Sequence, residues 1–262
     1  MKIAVTGKGG VGKTTLSSTL ARLYAAEGCK VVAADADPDA NLGAALGFTQ
    51  DELNGLTPIS ELKDLIAERT GSSAENFGKF FKINPKVDDI PDDYSMEKQG
   101  VKLLTLGTVD TAGSGCVCPE NVILKRILSH LVLGRDDVVI MDMEAGLEHL
   151  GRGTADFVDG FVVVVEPGER SIQTYNKVKS LATGLGVKQV RVVANKVRGE
   201  EDMHFIAERV PEEDLLGCLS YNEEIIDADR KGLSPYDVCP KALEEIKAIK
   251  AKLDISQTIK KD

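Results

Sequence analysis

The sequence predicts a doubly wound α/β domain with a mainly parallel sheet flanked by helices. Three observations predict it. Apolar, β-branched runs alternate with helix-spaced apolar stripes over 262 residues, the alternation from which a parallel sheet and its crossover helices are built. A glycine-rich loop joins the first such run to the first stripe. Acidic residues sit at the ends of later runs, where open α/β sheets hold their ligands. The repeated alternation favours one domain, residues 1–262, and that length buries a large core without staples.

Lys2-Ile3-Ala4-Val5-Thr6 reads as the first buried strand, and Gly7-Lys8-Gly9-Gly10-Val11-Gly12-Lys13-Thr14-Thr15 follows it. Leu16, Leu20, Leu23 and Tyr24 then give the stripe of a helix expected from Lys13 to Glu27, stopped by Gly28. Strand, glycine loop and helix in this order make a P-loop, so the fold is read as that of a P-loop NTPase. Glycines let successive N–H groups of Gly9, Gly10, Val11, Gly12, Lys13, Thr14 and Thr15 converge on an anion, and the helix dipole adds to them. Lys13 supplies a full charge to the β- and γ-phosphates of ATP. The Thr14 hydroxyl suits Mg²⁺, which keeps most of its waters.

On residue chemistry alone, a solvated loop lysine accounts for Lys8. However, Lys8-Gly9-Gly10-Val11-Gly12-Lys13-Thr14 resembles the deviant P-loop of the MinD/ParA-type ATPases, a class that includes the nitrogenase iron protein. The resemblance implies that Lys8 reaches across a nucleotide-sandwiched homodimer to the partner's phosphates. It also implies a dimer that closes on ATP.

Lys30 to Ala34 is the second strand, ending in Asp35-Ala36-Asp37-Pro38-Asp39. This is either a solvated acidic turn or switch I. In the resembled class the Asp before Pro orients the attacking water, which falls on Asp37; Asp35 assists through the magnesium shell. Water positioning suits phosphoryl transfer, where alignment and electrostatics carry the catalysis. Residues 48–100 read as an insertion over the crevice, either part of the dimer or client surface or merely a solvated excursion. They contain a short amphipathic helix at Ile59, Leu62, Leu65 and Ile66 and then loops or edge elements. Cys29, beside the second strand, is expected to be a small buried side chain.

Val101 to Gly107 is a strand, and a helix should begin near Pro119 with Val122, Ile123, Ile127 and Leu131 inward. Between them lie Cys116 and Cys118. Two residues along an extended backbone, their side chains share a side, with Cα atoms roughly 6.6 Å apart. Metal–sulfur bonds of about 2.3 Å need sulfurs roughly 4 Å apart, within reach of modest rotation. Two thiolates are too few for a closed site, and a twofold dimer would double them. Four sulfurs could hold Zn²⁺ tetrahedrally or Ni²⁺ in a plane. Two inert loop cysteines are the other reading.

Asp137 to Asp142 is a hydrophobic run ending in acid, as Walker B requires, with Asp142 holding a magnesium-bound water. Gly146 could offer its N–H to the γ-phosphate. Glu144, Glu148 and His149 stand where they could sense the nucleotide, and His149 is either a metal ligand or a structural histidine.

Gly115-Cys116-Val117-Cys118-Pro119 together with Asp142-Met143-Glu144-Ala145-Gly146-Leu147-Glu148-His149 resembles the CooC-type accessory ATPases of carbon monoxide dehydrogenase, over nearly the whole chain. That resemblance implies an ATPase whose homodimer holds nickel through Cys116 and Cys118, with Zn²⁺ able to substitute. It serves nickel insertion into carbon monoxide dehydrogenase or the related acetyl-CoA synthase.

Phe161 to Pro167 is a central strand, Ser171 to Ala182 a helix, and Gln189 to Lys196 a further strand. Its Asn195 either binds adenine, as the MinD/ParA resemblance implies, or starts a turn. Leu215 to Tyr221 is the last strand, with Cys218 in the core. Leu243, Ile246, Ile249 and Leu253 form a helix stripe expected to dock on the body, since few large apolar residues and a mixed Glu/Lys face suit a membrane poorly.

Composition narrows the partners. Net charge is −10, from 42 acidic and 32 basic residues. With no block of basic residues, this argues against nucleic acid. Five cysteines in this length do not suggest a disulfide framework. Neither a signal peptide nor a run long enough to cross a membrane is read, so a cytoplasmic protein without a stable membrane anchor is expected. The expected function is ATP hydrolysis coupled to nickel delivery. Its rivals are a MinD/ParA-type positioning ATPase, against which the missing basic patch speaks, and an iron–sulfur electron-transfer ATPase. The latter takes one cysteine from each of two separated loops, whereas Cys116 and Cys118 share one.

Overall fold

The structure is a computed structural model, and it describes residues 1–37, 39–72, 82–107, 119–133, 138–144, 158–187 and 189–258. Eight strands are present among them: β1 Lys2–Thr6, β2 Val31–Ala36, β3 Met96–Lys98, β4 Val101–Thr105, β5 Val138–Met143, β6 Gly160–Val165, β7 Val190–Val197 and β8 Leu215–Ser220. They form one sheet in the order β3-β4-β2-β5-β1-β6-β7-β8, parallel except for the short edge strand β3. The helices are α1 Lys13–Ala26, α2 Leu42–Ala45, α3 Gln50–Leu53, α4 Lys63–Thr70, α5 Ile90–Asp93, α6 Pro119–Leu133, α7 Glu169–Gly184, α8 Glu200–Ala207, α9 Glu223–Arg230, α10 Pro235–Val238 and α11 Pro240–Thr258. The doubly wound parallel architecture expected from the alternation is therefore the one found.

Strand alternation explains the two layers. Ile3 and Val5 of β1, Val31 and Ala33 of β2, and Val162 and Val164 of β6 face one side. Leu16 and Leu20 of α1 and Ile246, Ile249 and Leu253 of α11 pack there. The intervening Ala4, Val32, Phe161 and Val163 face Ile123 and Ile127 of α6 and Ile172, Tyr175 and Val178 of α7 on the other side. Strands β5 and β6 are buried along their whole length, which is why β6 reads as an unbroken apolar run and β5 as one interrupted only by Asp142.

The stripe on α11 is docked as expected, against α1 and β8. Tyr24 of α1 donates to Asp254 of α11 at 2.6 Å, and Lys250 joins Glu27 at 2.7 Å. Among the described residues no helix is long and apolar enough to cross a membrane. Within residues 48–100, Ile59, Leu65 and Ile66 are buried as their spacing predicts, but Ile59 lies in a short 3-10 turn ahead of α4. Cys29 corrects an expectation: it is exposed. It lies past the C-terminus of α1, after Gly28 at φ +85°, and before β2 begins, so the sheet does not cover it.

Candidate nucleotide site

Register brings the site residues together. Val5 of β1 lies beside Asp142 of β5, and Asp35 of β2 lies beside Asp142 from the other side. The carboxyl ends of three adjacent strands thus open on one point, where the chain leaves β1 into the glycine loop.

In that loop, Gly7, Gly10 and Gly12 have φ of +151°, +77° and +96°. Any other residue would be strained there. Space is as telling as angle. A Cβ on Gly7 would lie 2.5 Å from the Val164 carbonyl oxygen, and one on Gly12 would lie 2.2 Å from Asn195 Nδ2. A Cβ on Gly9 or Gly10 would meet nothing within 4 Å. The loop is packed tightly against the sheet at Gly7 and Gly12 and open at Gly9 and Gly10. Gly12 caps α1 without any side-chain hydrogen bond, so the first-turn N–H groups face the opening.

Thr14 Oγ1 donates to Asp142 Oδ2 at 2.7 Å, and Ser17 Oγ donates to Asp142 Oδ1 at 3.3 Å. Sequence reading missed Ser17; its place one helical turn after Thr14 was the available signal. Burial pushes the Asp142 carboxyl up to about 6, against the pull of the Thr14 hydroxyl and the Lys13 charge. Burial pushes Asp35 up to about 7, opposed by the Leu42 N–H and reinforced by Asp142. The Asp142 carboxylate and the Thr14 hydroxyl, 2.7 Å apart, are a pair of hard oxygen donors. That donor set fits Mg²⁺.

Lys13 is 6% exposed, and its Nζ lies 3.5 Å from Asp37 Oδ2. The loop carrying Asp37 is organised by Asp35, whose Oδ1 accepts from the Asp37 N–H at 3.2 Å and whose Oδ2 accepts from the Leu42 N–H at 3.0 Å. Asp35 therefore shapes the turn from β2 to α2. Lys8 is half-buried and makes no ion pair among the described residues.

Asn195 is 5% exposed at the end of β7. Its Nδ2 donates to the Val11 carbonyl at 2.7 Å, and its Oδ1 accepts from the Lys196 N–H at 2.7 Å. It braces the glycine loop from the side, which a residue that merely starts a turn would not do. Gly146, Cys116 and Cys118 lie outside the described residues, as do Glu148 and His149. Glu144 is described, and its carbonyl accepts from Thr6 Oγ1 at 3.0 Å.

Residues 2–236 match the CbiA family, the CobQ/CobB/MinD/ParA nucleotide binding domain. The chain belongs to this family. Among its CooC-type relatives is the carbon monoxide dehydrogenase accessory protein CooC of Rhodospirillum rubrum, 48% identical over 97% of this chain and 96% of that one. An uncharacterized ATP-binding protein of Methanocaldococcus jannaschii is 45% identical over 95% and 96%. Among solved structures, the septum site-determining protein MinD complexed with Mg-ADP from Pyrococcus horikoshii OT3 superposes with a TM-score of 0.65. It is 21% identical, covering 99% of this chain and 98% of that one. The resemblance to the CooC type within the MinD/ParA class is thus shown, the fold with it, and the chain is a P-loop ATPase of this family.

Proposed function

We propose that this protein is an ATP-hydrolysing, nickel-binding maturation factor. It helps insert nickel into the active-site cluster of carbon monoxide dehydrogenase or of a related enzyme such as acetyl-CoA synthase. The observation that carries this reading is the 48% identity, along nearly the full length of both chains, with a carbon monoxide dehydrogenase accessory protein.

The arrangement of the site supports the chemistry. ATP enters with its phosphates in the cradle of Gly9 to Thr15, and Lys13 exchanges Asp37 for the β- and γ-phosphates. Thr14 would be a ligand of Mg²⁺ and Asp142 would hold one of its waters, and the ion would supply positive charge to the phosphate oxygens. Asp37, freed from Lys13, orients a water toward the γ-phosphorus. The new P–O bond forms as the bond to the β-phosphate oxygen breaks, giving ADP and phosphate. Gly146 offers its N–H to the γ-phosphate, Asn195 borders the adenine, and Lys8 reaches the partner's phosphates in a homodimer.

The metal part rests on Cys116 and Cys118. One chain offers two thiolates, and a twofold axis makes four, a soft set suited to Ni²⁺ or Zn²⁺. ATP closure changes the geometry between the two pairs, and hydrolysis resets it. The work is cytoplasmic and involves neither nucleic acid nor a stable membrane anchor. To test the reading, carbon monoxide dehydrogenase made without this protein is incubated with Ni²⁺, MgATP and the purified chain. Nickel content and carbon monoxide oxidation should rise, and Lys13→Ala should leave both at the background level. Equal loading with and without the chain would refute the role.

A further inference from the structure

Two described residues other than glycine have positive φ, Gln99 at +51° and Lys196 at +58°. Gln99 needs no special account, since with Gly100 at +77° it makes the tight turn between the antiparallel strands β3 and β4. Lys196 lies in no such turn. It falls inside β7, where the pairing with β8 shifts register between Ala194 and Val197. A bulge at the rim of a parallel sheet re-aims a side chain, and a strained backbone kept beside a site has to be held by its surroundings.

The re-aimed side chain reaches the glycine loop. Lys196 Nζ donates to the Gly10 carbonyl at 2.7 Å and pairs with Glu166 Oε2 at 3.3 Å. Glu166 follows β6 directly, and its own N–H donates to Ser171 Oγ of α7 at 3.1 Å. The anchor therefore sits on the neighbouring strand end. The Gly10 carbonyl shares a peptide plane with the Val11 N–H, which donates to the Lys8 carbonyl at 3.4 Å and closes the turn carrying Lys8. A cation on one end of that peptide polarises it and strengthens the bond at the other end. Asn195, the preceding residue, holds the next carbonyl, that of Val11. Two adjacent side chains of one bulge thus grip two adjacent carbonyls of the loop.

We propose that Lys196, anchored by Glu166, is a positioning residue for ATP turnover: it fixes the turn from Lys8 to Val11 through the Gly10 carbonyl. The inference rests on the chain being an ATPase and not on nickel. Its failure would leave the maturation role standing, and the reverse also holds.

The test measures kcat, KM for ATP and Tm for Lys196→Met, Glu166→Gln and the double variant. Methionine keeps the length of the side chain and the backbone strain but removes the charge and the donors. Lys196→Met should lower kcat about tenfold, the loss expected for one charge-assisted hydrogen bond, with Tm unchanged because the side chain is exposed. Glu166→Gln should lower kcat a few-fold, and the double variant should be no slower than Lys196→Met, since both residues act through one contact. A parental kcat in Lys196→Met would overturn the proposal. So would a fall in Tm alone, or losses in the double variant that multiply.

Discussion

Lys13 Nζ lies 3.5 Å from Asp37 Oδ2, with both side chains largely out of solvent. The lysine of the glycine loop and the acid after β2 are therefore each other's partner until something more highly charged takes the lysine. Breaking a desolvated pair is costly unless a new counter-charge replaces the old one, and a triphosphate is such a counter-charge.

That exchange sets the sign of two substitutions. Asp37→Asn removes the competitor for Lys13, so ATP should bind as tightly as in the parent or more tightly. Turnover should fall on the order of 10²-fold, as for loss of a group that positions a proton-transferring water. Lys13→Ala should abolish binding. Fluorescent-nucleotide titration and phosphate release separate the two. Normal turnover by Asp37→Asn would remove it from the role of water-orienting residue.

The Thr14 hydroxyl and Asp142, 2.7 Å apart, predict a dependence on magnesium. Thr14→Ser keeps the hydroxyl and should retain most turnover, while Thr14→Val should lose most of it. Chelation by EDTA should stop the parent, and added Mg²⁺ should restore it. A Thr14→Val variant with the parent's magnesium response would contradict the assignment.

Much of this site was legible in the sequence because its signals are local. Gly7 to Thr15 lie between a β-branched run and a helix stripe, and Asp142 ends a run that burial on both faces makes uniformly apolar. The fold followed from the same runs, and the docked stripe of α11 from its spacing. What was not legible depends on contacts between distant segments. Nothing in the chain near Asn195 says that its amide will brace Val11, 184 positions away. The bulge that aims Lys196 at Gly10 has no local sequence signal, since lysine does not favour positive φ. Cys29 was misjudged because its neighbour β2 starts two residues later, at Val31.

Asn195→Ala should cost stability as well as activity. The Val11 carbonyl would lose its donor in a buried place, at about 1–3 kcal/mol, and Tm should fall by a few degrees for each kcal/mol. Gly12→Ala should be worse, since its Cβ would fall 2.2 Å from the same amide at φ +96°. Thermal melts without nucleotide check both. An Asn195→Ala melt matching the parent would mean that the brace contributes nothing.

Lys8→Ala should leave the fold intact, because the side chain has no ion pair among the described residues. It should cripple hydrolysis and weaken ATP-dependent dimerisation. Light scattering with a nonhydrolysable ATP analogue measures the second effect. Dimerisation and turnover equal to the parent would make Lys8 an ordinary loop lysine.

The central claim joins ATP to nickel through a site shared by two chains. Equilibrium dialysis with ⁶³Ni²⁺ on the parent and on the five single Cys→Ser variants tests it most directly. The account predicts one Ni²⁺ per two chains, lost in Cys116→Ser and in Cys118→Ser and kept in Cys29→Ser, Cys218→Ser and Cys239→Ser. Serine is nearly the size of cysteine but a poor ligand for a soft-leaning metal, so ATP binding should survive in all five. One Ni²⁺ per single chain, or undiminished binding without Cys116 and Cys118, would contradict it.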